Sequence, residues 1–258
     1  MRTGTIVVAA AMWACGGGVA QAQADTSCPE VARALQDVMR QDARLRDWPQ
    51  LARYRAANLE LRQAGTPVQA MFLGDSITDA WDDPAYGGFF PGKPYANRGI
   101  GGQTTPQMLI RMKPDVLAFK PRVLVLLAGT NDIAGNTGPT TDEAIQDNIA
   151  AMAELAAAHG VRVVLASILP VSNYHHQPDR GGPPQTVRRP PGRIRQLNAW
   201  LQQYAAANGH VFLDYFSAVA DDHGMLREEF SEDDLHPNAK AYAVMAPLAD
   251  AAIARALK

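Results

Sequence analysis

The chain has 258 residues, of which 47% are hydrophobic and 19% are charged, so it is long enough to bury the core of one large α/β domain. Its formal net charge at pH 7 is -2, and the absence of long runs of like charge argues against nucleic-acid or anionic-membrane binding. A short basic stretch, TVRRPPGRIR at 186–195, is interpreted as a solvated loop because proline and glycine interrupt it.

The first residues predict a secretory signal peptide rather than part of the fold. Arg2 gives a positive start, an apolar small-residue segment follows, and Ala22 and Ala24 offer small-residue cleavage sites. We therefore expect residues 1–24 to be removed, leaving an exported periplasmic or secreted protein with no integral membrane segment. Cys15 would leave with this peptide, so Cys28 would lack an intramolecular partner, and no disulfide framework is expected.

Residues 25–66 are predicted to form an N-terminal helical segment, and strands and helices then alternate through a domain at 67–258. Short apolar runs bounded by glycine predict strands, and longer runs with polar starts predict helices. The predicted strands are 67–73, 94–99, 122–129, 161–169 and 210–215, and the predicted helices are 105–113, 140–160, 193–209 and 237–258. This alternation predicts a central parallel sheet with helices on both faces.

The sequence gives more detailed predictions for the last helix and for one irregular segment. The last helix has an apolar face formed by Ala241, Val244, Met245, Leu248 and Ala252. The only long irregular segment, 170–192, is expected to be functional or disordered, since loops of this length are uncommon in compact domains. Within it, the adjacent His175 and His176 favour solvent exposure over metal binding.

Four clusters of small and polar residues lie at the ends of predicted elements. Ser76 follows the first strand in GDSIT, Gly102 follows the second in NRGIGGQTT, and Asn131 follows the third in GTND. Asp233 and His236 lie in DDLHP, directly before the last helix. Because ligands bind at the carboxyl ends of the strands in such sheets, these clusters are candidates for one site.

The residue types in these clusters fit acyl transfer. A serine hydroxyl needs a neighbouring base, which is usually a histidine oriented by a carboxylate, and the three-residue spacing lets Asp233 reach the His236 ring. Backbone N–H groups at Gly102 and the amide of Asn131 could hold an oxyanion. Each cluster alone is more often a turn or a helix cap, but their joint occurrence at strand ends favours the chemical interpretation.

The same four blocks, from about residue 68 to the C-terminus, resemble those of the SGNH hydrolases, also called GDSL esterases and lipases. The resemblance implies a flavodoxin-like three-layer α/β/α sandwich and no metal or organic cofactor. It also implies Ser76 as nucleophile, Asp233 and His236 as its partners, and an oxyanion hole from the Ser76 N–H, Gly102 and Asn131. Gly101 and Gln103 depart from the residues frequent in the second block, and Gln103 is expected to tune local hydrogen bonding.

The function expected from these observations is that of an exported serine esterase acting on small-molecule or saccharide esters, with short-acyl or carbohydrate O-acetyl esters preferred. Trp81 and Asp75 are candidate substrate-binding residues, although Trp81 could equally belong to the core. Alternatives that stay open are a lysophospholipase or thioesterase-like lipid acyl hydrolase, acyl transfer to a sugar, and a non-catalytic envelope carbohydrate-binding protein. The sequence leaves the oligomeric state open.

Overall fold

The computed structural model describes residues 29–178 and 182–258. The predicted signal peptide at 1–24, together with Cys15 and Cys28, lies outside the described residues, so export stays a prediction. Within the described residues, no helix combines the length and the apolar character that a membrane span requires.

The chain divides into two compact units, and the division in sequence falls between Trp48 and Pro49. Helix α1 (Pro29–Arg46) belongs to the first unit. The unit that holds the sheet therefore starts at Pro49 rather than at the predicted boundary, residue 67.

The boundary lies before residue 67 because helix α2 (Arg55–Ala64) and the residue before it form hydrogen bonds with the unit that holds the sheet. The Tyr54 hydroxyl, just before the helix, donates to the carbonyl oxygen of Gly99. Within the helix, Asn58 Nδ2 donates to Asp115 Oδ1 at 2.7 Å, and both side chains are buried. Hydrogen bonds between buried polar groups fix α2 in the same unit as the sheet.

In the described chain one sheet contains five strands, and every neighbouring pair is parallel. The strands are β1 (Ala70–Gly74), β2 (Tyr95–Gly99), β3 (Val123–Leu127), β4 (Arg162–Ala166) and β5 (Val211–Leu213). Their order, β2-β1-β3-β4-β5, is the flavodoxin-like order. All five predicted strands are present, and each is shorter than the run that predicted it.

Helices connect the strands and cover the sheet. They are α3 (Ser76–Asp79), α4 (Thr105–Asp115), α5 (Thr130–Ile133), α6 (Asp142–Ala158), α7 (Gln185–Arg188), α8 (Pro191–Ala207), α9 (Phe216–Val219) and α10 (Ala239–Ala256). Short 3-10 turns lie at Ala80–Asp82, Pro84–Tyr86, Leu117–Phe119 and Glu228–Phe230.

Two separate hydrophobic cores make the fold a three-layer α/β/α sandwich, as predicted. Met71 and Leu73 of β1 belong to the core that contains the buried faces of α4, α6 and α8. The alternate residue Phe72 belongs to the core on the other face, with α9 and α10. Side chains of successive strand residues point to opposite faces, so a fully buried strand supplies both cores.

The buried face of α10 differs from the predicted face by part of a turn. Ala241, Met245 and Ala252 are buried as expected, but Val244 and Leu248 are only partly buried. Tyr242, Ala249 and Ile253 complete the buried stripe. The Tyr242 hydroxyl, which donates to the Ile77 carbonyl oxygen at 2.7 Å, holds this helix against α3.

Candidate active site

Ser76 lies at the carboxyl edge of the sheet, in the first turn after β1. The strand ends at Gly74, and Asp75 caps α3 by accepting a hydrogen bond from the Ile77 backbone N–H at 3.0 Å. Ser76 is the first residue of that short helix, so its backbone N–H has no acceptor within the helix. The side chain is partly exposed while its neighbours on both sides are buried.

Two glycines let α3 lie directly on the strand ends. A Cβ on Gly74 would stand 2.1 Å from Thr78 Oγ1, and a Cβ on Gly99 would stand 2.1 Å from the backbone nitrogen of Asp79. Neither position can accept a side chain without movement of its neighbour. The glycines of GDSIT and NRGIGGQTT therefore fix the height of Ser76 above the sheet.

His236 joins Ser76 to Asp233 in one hydrogen-bonded line. Ser76 Oγ lies 3.0 Å from His236 Nε2, and His236 Nδ1 lies 2.6 Å from Asp233 Oδ2. Asp233 Oδ1 also accepts from the backbone N–H groups of Leu235 at 3.1 Å and His236 at 2.7 Å. The structure thus brings together the three side chains that the sequence predicted, across 160 residues.

The electrostatics of this line keep Asp233 ionised. Partial burial acts to raise the pKa of Asp233, but the hydrogen bonds from His236 and Leu235 outweigh it and hold the pKa well below its usual range. An ionised Asp233 fixes a proton on His236 Nδ1 and leaves Nε2 free to accept the Ser76 proton.

Asp75 is a cap rather than a substrate contact. It is 1% exposed, and its Oδ2 has no hydrogen-bond partner among the described residues. Burial raises the pKa of Asp75 to about 6 against the opposing effects of the Ile77 N–H, His236 and Arg189. The predicted substrate-binding role of Asp75 is not supported, because a carboxylate buried in this way cannot contact a bound substrate.

The three predicted oxyanion donors lie close to one another in the structure. Gly102 has a positive φ of 78°, and a Cβ on the preceding Gly101 would lie 3.8 Å from the Ser76 Cβ. In the described chain, the N–H of Gly102 has no hydrogen-bond acceptor. Asn131 Nδ2 donates one hydrogen to the Gln103 carbonyl oxygen at 3.0 Å, which leaves its second hydrogen for another acceptor.

Two buried arginines around these donors were not found from the sequence. Arg111, fully buried in α4, donates to the Gly74 carbonyl oxygen at 2.9 Å and to Gln103 Oε1 at 2.5 Å. Gln103 Nε2 in turn donates to the Pro49 carbonyl oxygen at 2.7 Å. Gln103 therefore positions the loop that carries Gly102, in line with the expectation that it tunes local hydrogen bonding.

Arg189 is the second buried arginine near the oxyanion donors. Its burial shows that the interpretation of 186–195 as a solvated loop is wrong. Arg188 is exposed, but Arg189 is 2% exposed and donates to Thr130 and Asn131. The segment from Pro191 onward is helix α8. The sequence carries no local signal for this burial, because the partners Thr130 and Asn131 lie 59 and 58 residues away.

A cleft of about 550 Å³ lies beside Asp233. Its lining is mostly polar: Tyr174, His175, His176, Gln177, Pro183, Gln185, Glu232, Asp233 and Asp234. Six described residues of the long segment 170–192 thus line this cleft, whose lining includes Asp233 but neither Ser76 nor His236. Across residues 29–178 and 182–258, no group of three or more His, Cys, Asp or Glu side chains could hold a metal ion.

Trp81 is a core residue, so its predicted contact with a sugar is not supported. The indole is 3% exposed and lies 4.8 Å, centroid to centroid, from the ring of Tyr242 and 5.2 Å from that of Phe90. It lies at the edge of another cleft, of about 360 Å³, whose lining contains none of Ser76, Asp233 and His236.

A flavodoxin-like sandwich with a Ser–His–Asp line at the carboxyl edge of its sheet is typical of serine hydrolases. The sequence matches the GDSL-like lipase/acylhydrolase family over residues 72–244, a range that contains all five predicted triad and oxyanion residues. The chain belongs to the GDSL-like lipase/acylhydrolase family, which confirms the resemblance found in its four blocks.

Solved structures agree with this assignment. A GDSL-like lipase from Bacteroides thetaiotaomicron VPI-5482 is 35% identical, with a TM-score of 0.71 over 81% of this chain and 99% of that one. The acetyl-xylooligosaccharide esterase Axe2 of Geobacillus stearothermophilus shares the fold, with a TM-score of 0.57 at 19% identity over 71% of this chain and 93% of its own.

A curated relative matches a smaller region. The uncharacterized lipoprotein YqeF of Bacillus subtilis (strain 168) is 34% identical over 86 residues, which are 31% of this chain and 35% of that protein. The matched region thus spans about a third of the relative's length.

Proposed function

We propose that the protein is an exported serine esterase in which Ser76, His236 and Asp233 form the catalytic triad. The observation that carries this proposal is the continuous line from Ser76 Oγ through His236 to Asp233, with contacts of 3.0 and 2.6 Å. Such a line at the carboxyl edge of a parallel sheet supplies a nucleophile, a base and an orienting carboxylate in one place.

The proposed reaction has two halves. Ser76 Oγ bonds to the ester carbonyl carbon while its proton moves to His236 Nε2, and the carbonyl electron pair moves onto the oxygen. When that pair returns, the bond to the alcohol breaks and His236 protonates the leaving oxygen. Water then attacks the acyl-enzyme by the same route, which releases the acid and restores Ser76.

The negative oxygen of each tetrahedral intermediate would be held by the Ser76 N–H, the Gly102 N–H and Asn131 Nδ2. The remaining hydrogen on Asn131 Nδ2 and the N–H of Gly102, which is unpaired among the described residues, support this role. Removal of one oxyanion donor typically lowers kcat by about 10²–10³-fold, so we expect Asn131→Ala to fall in that range.

The substrate we propose is an ester of a short acyl group with a hydrophilic alcohol, such as an O-acetylated saccharide. The polar lining of the cleft beside Asp233, with Tyr174, His175 and Glu232, suits a hydroxyl-rich leaving group more than a long acyl chain. The shared fold with an acetyl-xylooligosaccharide esterase supports the same class. A lipid acyl hydrolase remains the alternative, because the family and the Bacteroides relative are described as lipases.

Export to the periplasm or medium is supported by the pattern at residues 1–24 and by the lipoprotein description of the Bacillus subtilis relative. Expression of the full chain in a bacterial host, followed by mass analysis of the extracytoplasmic protein, tests this part. A mature chain beginning after Ala22 or Ala24 is expected, and an uncleaved cytoplasmic chain would contradict it.

Hydrolysis assays test the catalytic part of the proposal. The wild-type chain should hydrolyse p-nitrophenyl acetate and release acetate from acetylated xylooligosaccharides, and Ser76→Ala should lose nearly all turnover while keeping the wild-type Tm. A maximum at octanoyl or palmitoyl esters would instead support the lipid alternative. If an organophosphonate fails to label Ser76 in the folded protein, a non-catalytic carbohydrate-binding role is favoured.

A further inference from the structure

Within the described residues, Arg189 is a buried charge without a direct counter-ion. The residue is 2% exposed, and no carboxylate oxygen in this part of the chain lies within ion-pair distance of its guanidinium. Desolvating an arginine is costly unless its charge interacts with something. Burial lowers the pKa of Arg189 to about 10, which still leaves the side chain protonated at neutral pH.

The hydrogen bonds of Arg189 lead to the proposed oxyanion donor. Nε donates to the Thr130 carbonyl oxygen and to Thr130 Oγ1, both at 3.1 Å, and Nη1 donates to Gln185 Oε1 at 2.6 Å. Nη2 lies 3.3 Å from Asn131 Oδ1, to which it donates. The guanidinium thus binds both the backbone and the side chains of the GTND turn.

These contacts fix which way the Asn131 amide faces. Asn131 Oδ1 accepts from Arg189 and also from Asn136 Nδ2 at 3.0 Å, whereas Asn131 Nδ2 donates to the Gln103 carbonyl oxygen. A flipped amide would place its NH₂ against two donors and its oxygen against a carbonyl. Arg189 therefore helps to lock the N–H side of the amide in the orientation that an oxyanion requires.

We propose that Arg189 is the positioning residue of the oxyanion hole: it orients the Asn131 amide and places a buried positive charge behind it. Electron density drawn toward Oδ1 makes the remaining Nδ2 hydrogen of Asn131 a stronger donor to the negative oxygen that forms in the transition state. Asp75 and Asp233 interact electrostatically with this guanidinium, so its field reaches the Ser76 site. The inference rests on the proposed function, since it needs Asn131 to act as a donor.

A double-mutant cycle on p-nitrophenyl acetate tests this role. Arg189→Gln should lower kcat by roughly ten- to hundred-fold with KM changed by less than about threefold, because the hydrogen bond from Asn131 to the oxyanion forms only in the transition state. In the Asn131→Ala background, the same change should cost less than about threefold, because its target is gone. Equal losses in both backgrounds, or a kcat for Arg189→Gln within about threefold of wild type, would overturn the inference.

Controls separate positioning from folding. Arg193→Gln removes an arginine of the same segment whose bonds run to Asp142 and Thr140, so its kcat should stay near that of wild type. End-point labelling of Ser76 by an organophosphonate should be complete in Arg189→Gln. Incomplete labelling would mean that part of the Arg189→Gln protein is misfolded. Arg189→Lys, which keeps the charge but not all the contacts of the guanidinium, is then taken through the same cycle. It should lose less kcat than the folded fraction of Arg189→Gln.

The same set of assays distinguishes failure of the esterase proposal from failure of the role of Arg189. A Ser76→Ala variant that keeps turnover would remove the proposed function and this inference with it. An inactive Ser76→Ala variant together with additive effects at positions 131 and 189 would leave the esterase proposal in place and reject only the role of Arg189.

Discussion

Asp233 and Asp234 are consecutive residues whose carboxylates serve different parts of the site. Asp233 Oδ2 lies 2.6 Å from His236 Nδ1, whereas Asp234 Oδ1 accepts from Ser172 Oγ at 2.6 Å. Asp234 also accepts from the backbone N–H of His175 and has a positive φ of 68°, which turns the two side chains apart. One residue orients the histidine, and the other holds the segment that lines the polar cleft.

Asparagine substitutions at these two positions should therefore have different effects. Asp233→Asn is expected to lower kcat by roughly 10³–10⁴-fold, because an amide no longer enforces the Nδ1–H tautomer of His236. Asparagine at position 234 can adopt the left-handed backbone conformation, but it replaces one of the two accepting carboxylate oxygens with an NH₂ group. Asp234→Asn should therefore cost about 1–3 kcal/mol of unfolding free energy and lower kcat by less than tenfold. Esterase kinetics and urea unfolding of both variants check this, and the reverse pattern would contradict it.

Gly99→Ala should displace the helix that carries Ser76. The new Cβ would meet the backbone of Asp79 at 2.1 Å, and backbone cannot yield as a flexible side chain does. We expect a loss of about 1–3 kcal/mol in stability and of about 10²-fold or more in kcat, since the Ser76–His236 geometry tolerates little movement.

Gly192→Ala is the matched control for that variant. Gly192 lies in the first turn of α8, and no described atom outside its own helical turn lies within 4 Å of the point where a Cβ would stand. Alanine at this position should therefore raise stability by up to about 1 kcal/mol and leave kcat equal to that of wild type. A Gly99→Ala protein that behaves like Gly192→Ala would show that the close approach of α3 to β2 is not required.

The sequence predicted those parts of the site that depend on local spacing. Asp233 and His236 are three residues apart in the sequence. Ser76, Gly102 and Asn131 each closely follow a strand that can be recognised from the sequence. Arg189 could not be found in this way, because its burial depends on Thr130 and Asn131, which are 59 and 58 residues away. The surrounding RRPPGR letters have the composition of an exposed loop.

Trp81 illustrates the same limit for the fold. It lies in a 3-10 turn of three residues, which is too short for a hydrophobic period to indicate which way its side chain faces. The rings of Phe72, Phe90 and Tyr242 that enclose it come from other segments of the chain. Strand order was likewise not encoded locally, and it became evident only from the pairing of β1 with both β2 and β3.

Arg111→Met should destabilise the protein strongly. Arg111 is fully buried, forms an ion pair with Asp115 at 3.4 Å and donates to the Gly74 carbonyl oxygen, so its removal deprives a buried carboxylate of this counter-ion and the carbonyl of this donor. Breaking such a pair costs about 3–5 kcal/mol. Arg53→Met, which removes a half-exposed ion pair to Asp79, should cost less than about 1 kcal/mol by the same urea titration. Similar losses in the two variants would contradict a structural role for the buried pair.

Asp75→Asn should change the pH dependence of stability in a defined direction. Burial raises the pKa of Asp75 to about 6, above the value of about 3.9 expected in the unfolded chain. Ionising this carboxyl is therefore harder in the folded state, so the wild-type protein loses stability from this residue as pH rises from about 4 to above 6. Asparagine keeps an oxygen that can accept from the Ile77 N–H and does not ionise, so the variant avoids that loss.

We expect the unfolding free energy of Asp75→Asn to gain about 2–3 kcal/mol on wild type between about pH 4 and about pH 8, measured by urea unfolding at several pH values. Other ionisations occur in both proteins and largely cancel in the difference. Asp83→Asn is the control, because Asp83 also caps a turn, through the Ala85 N–H at 2.8 Å, but is exposed. A difference between Asp75→Asn and wild type that is independent of pH would mean that the buried carboxyl does not titrate in this range.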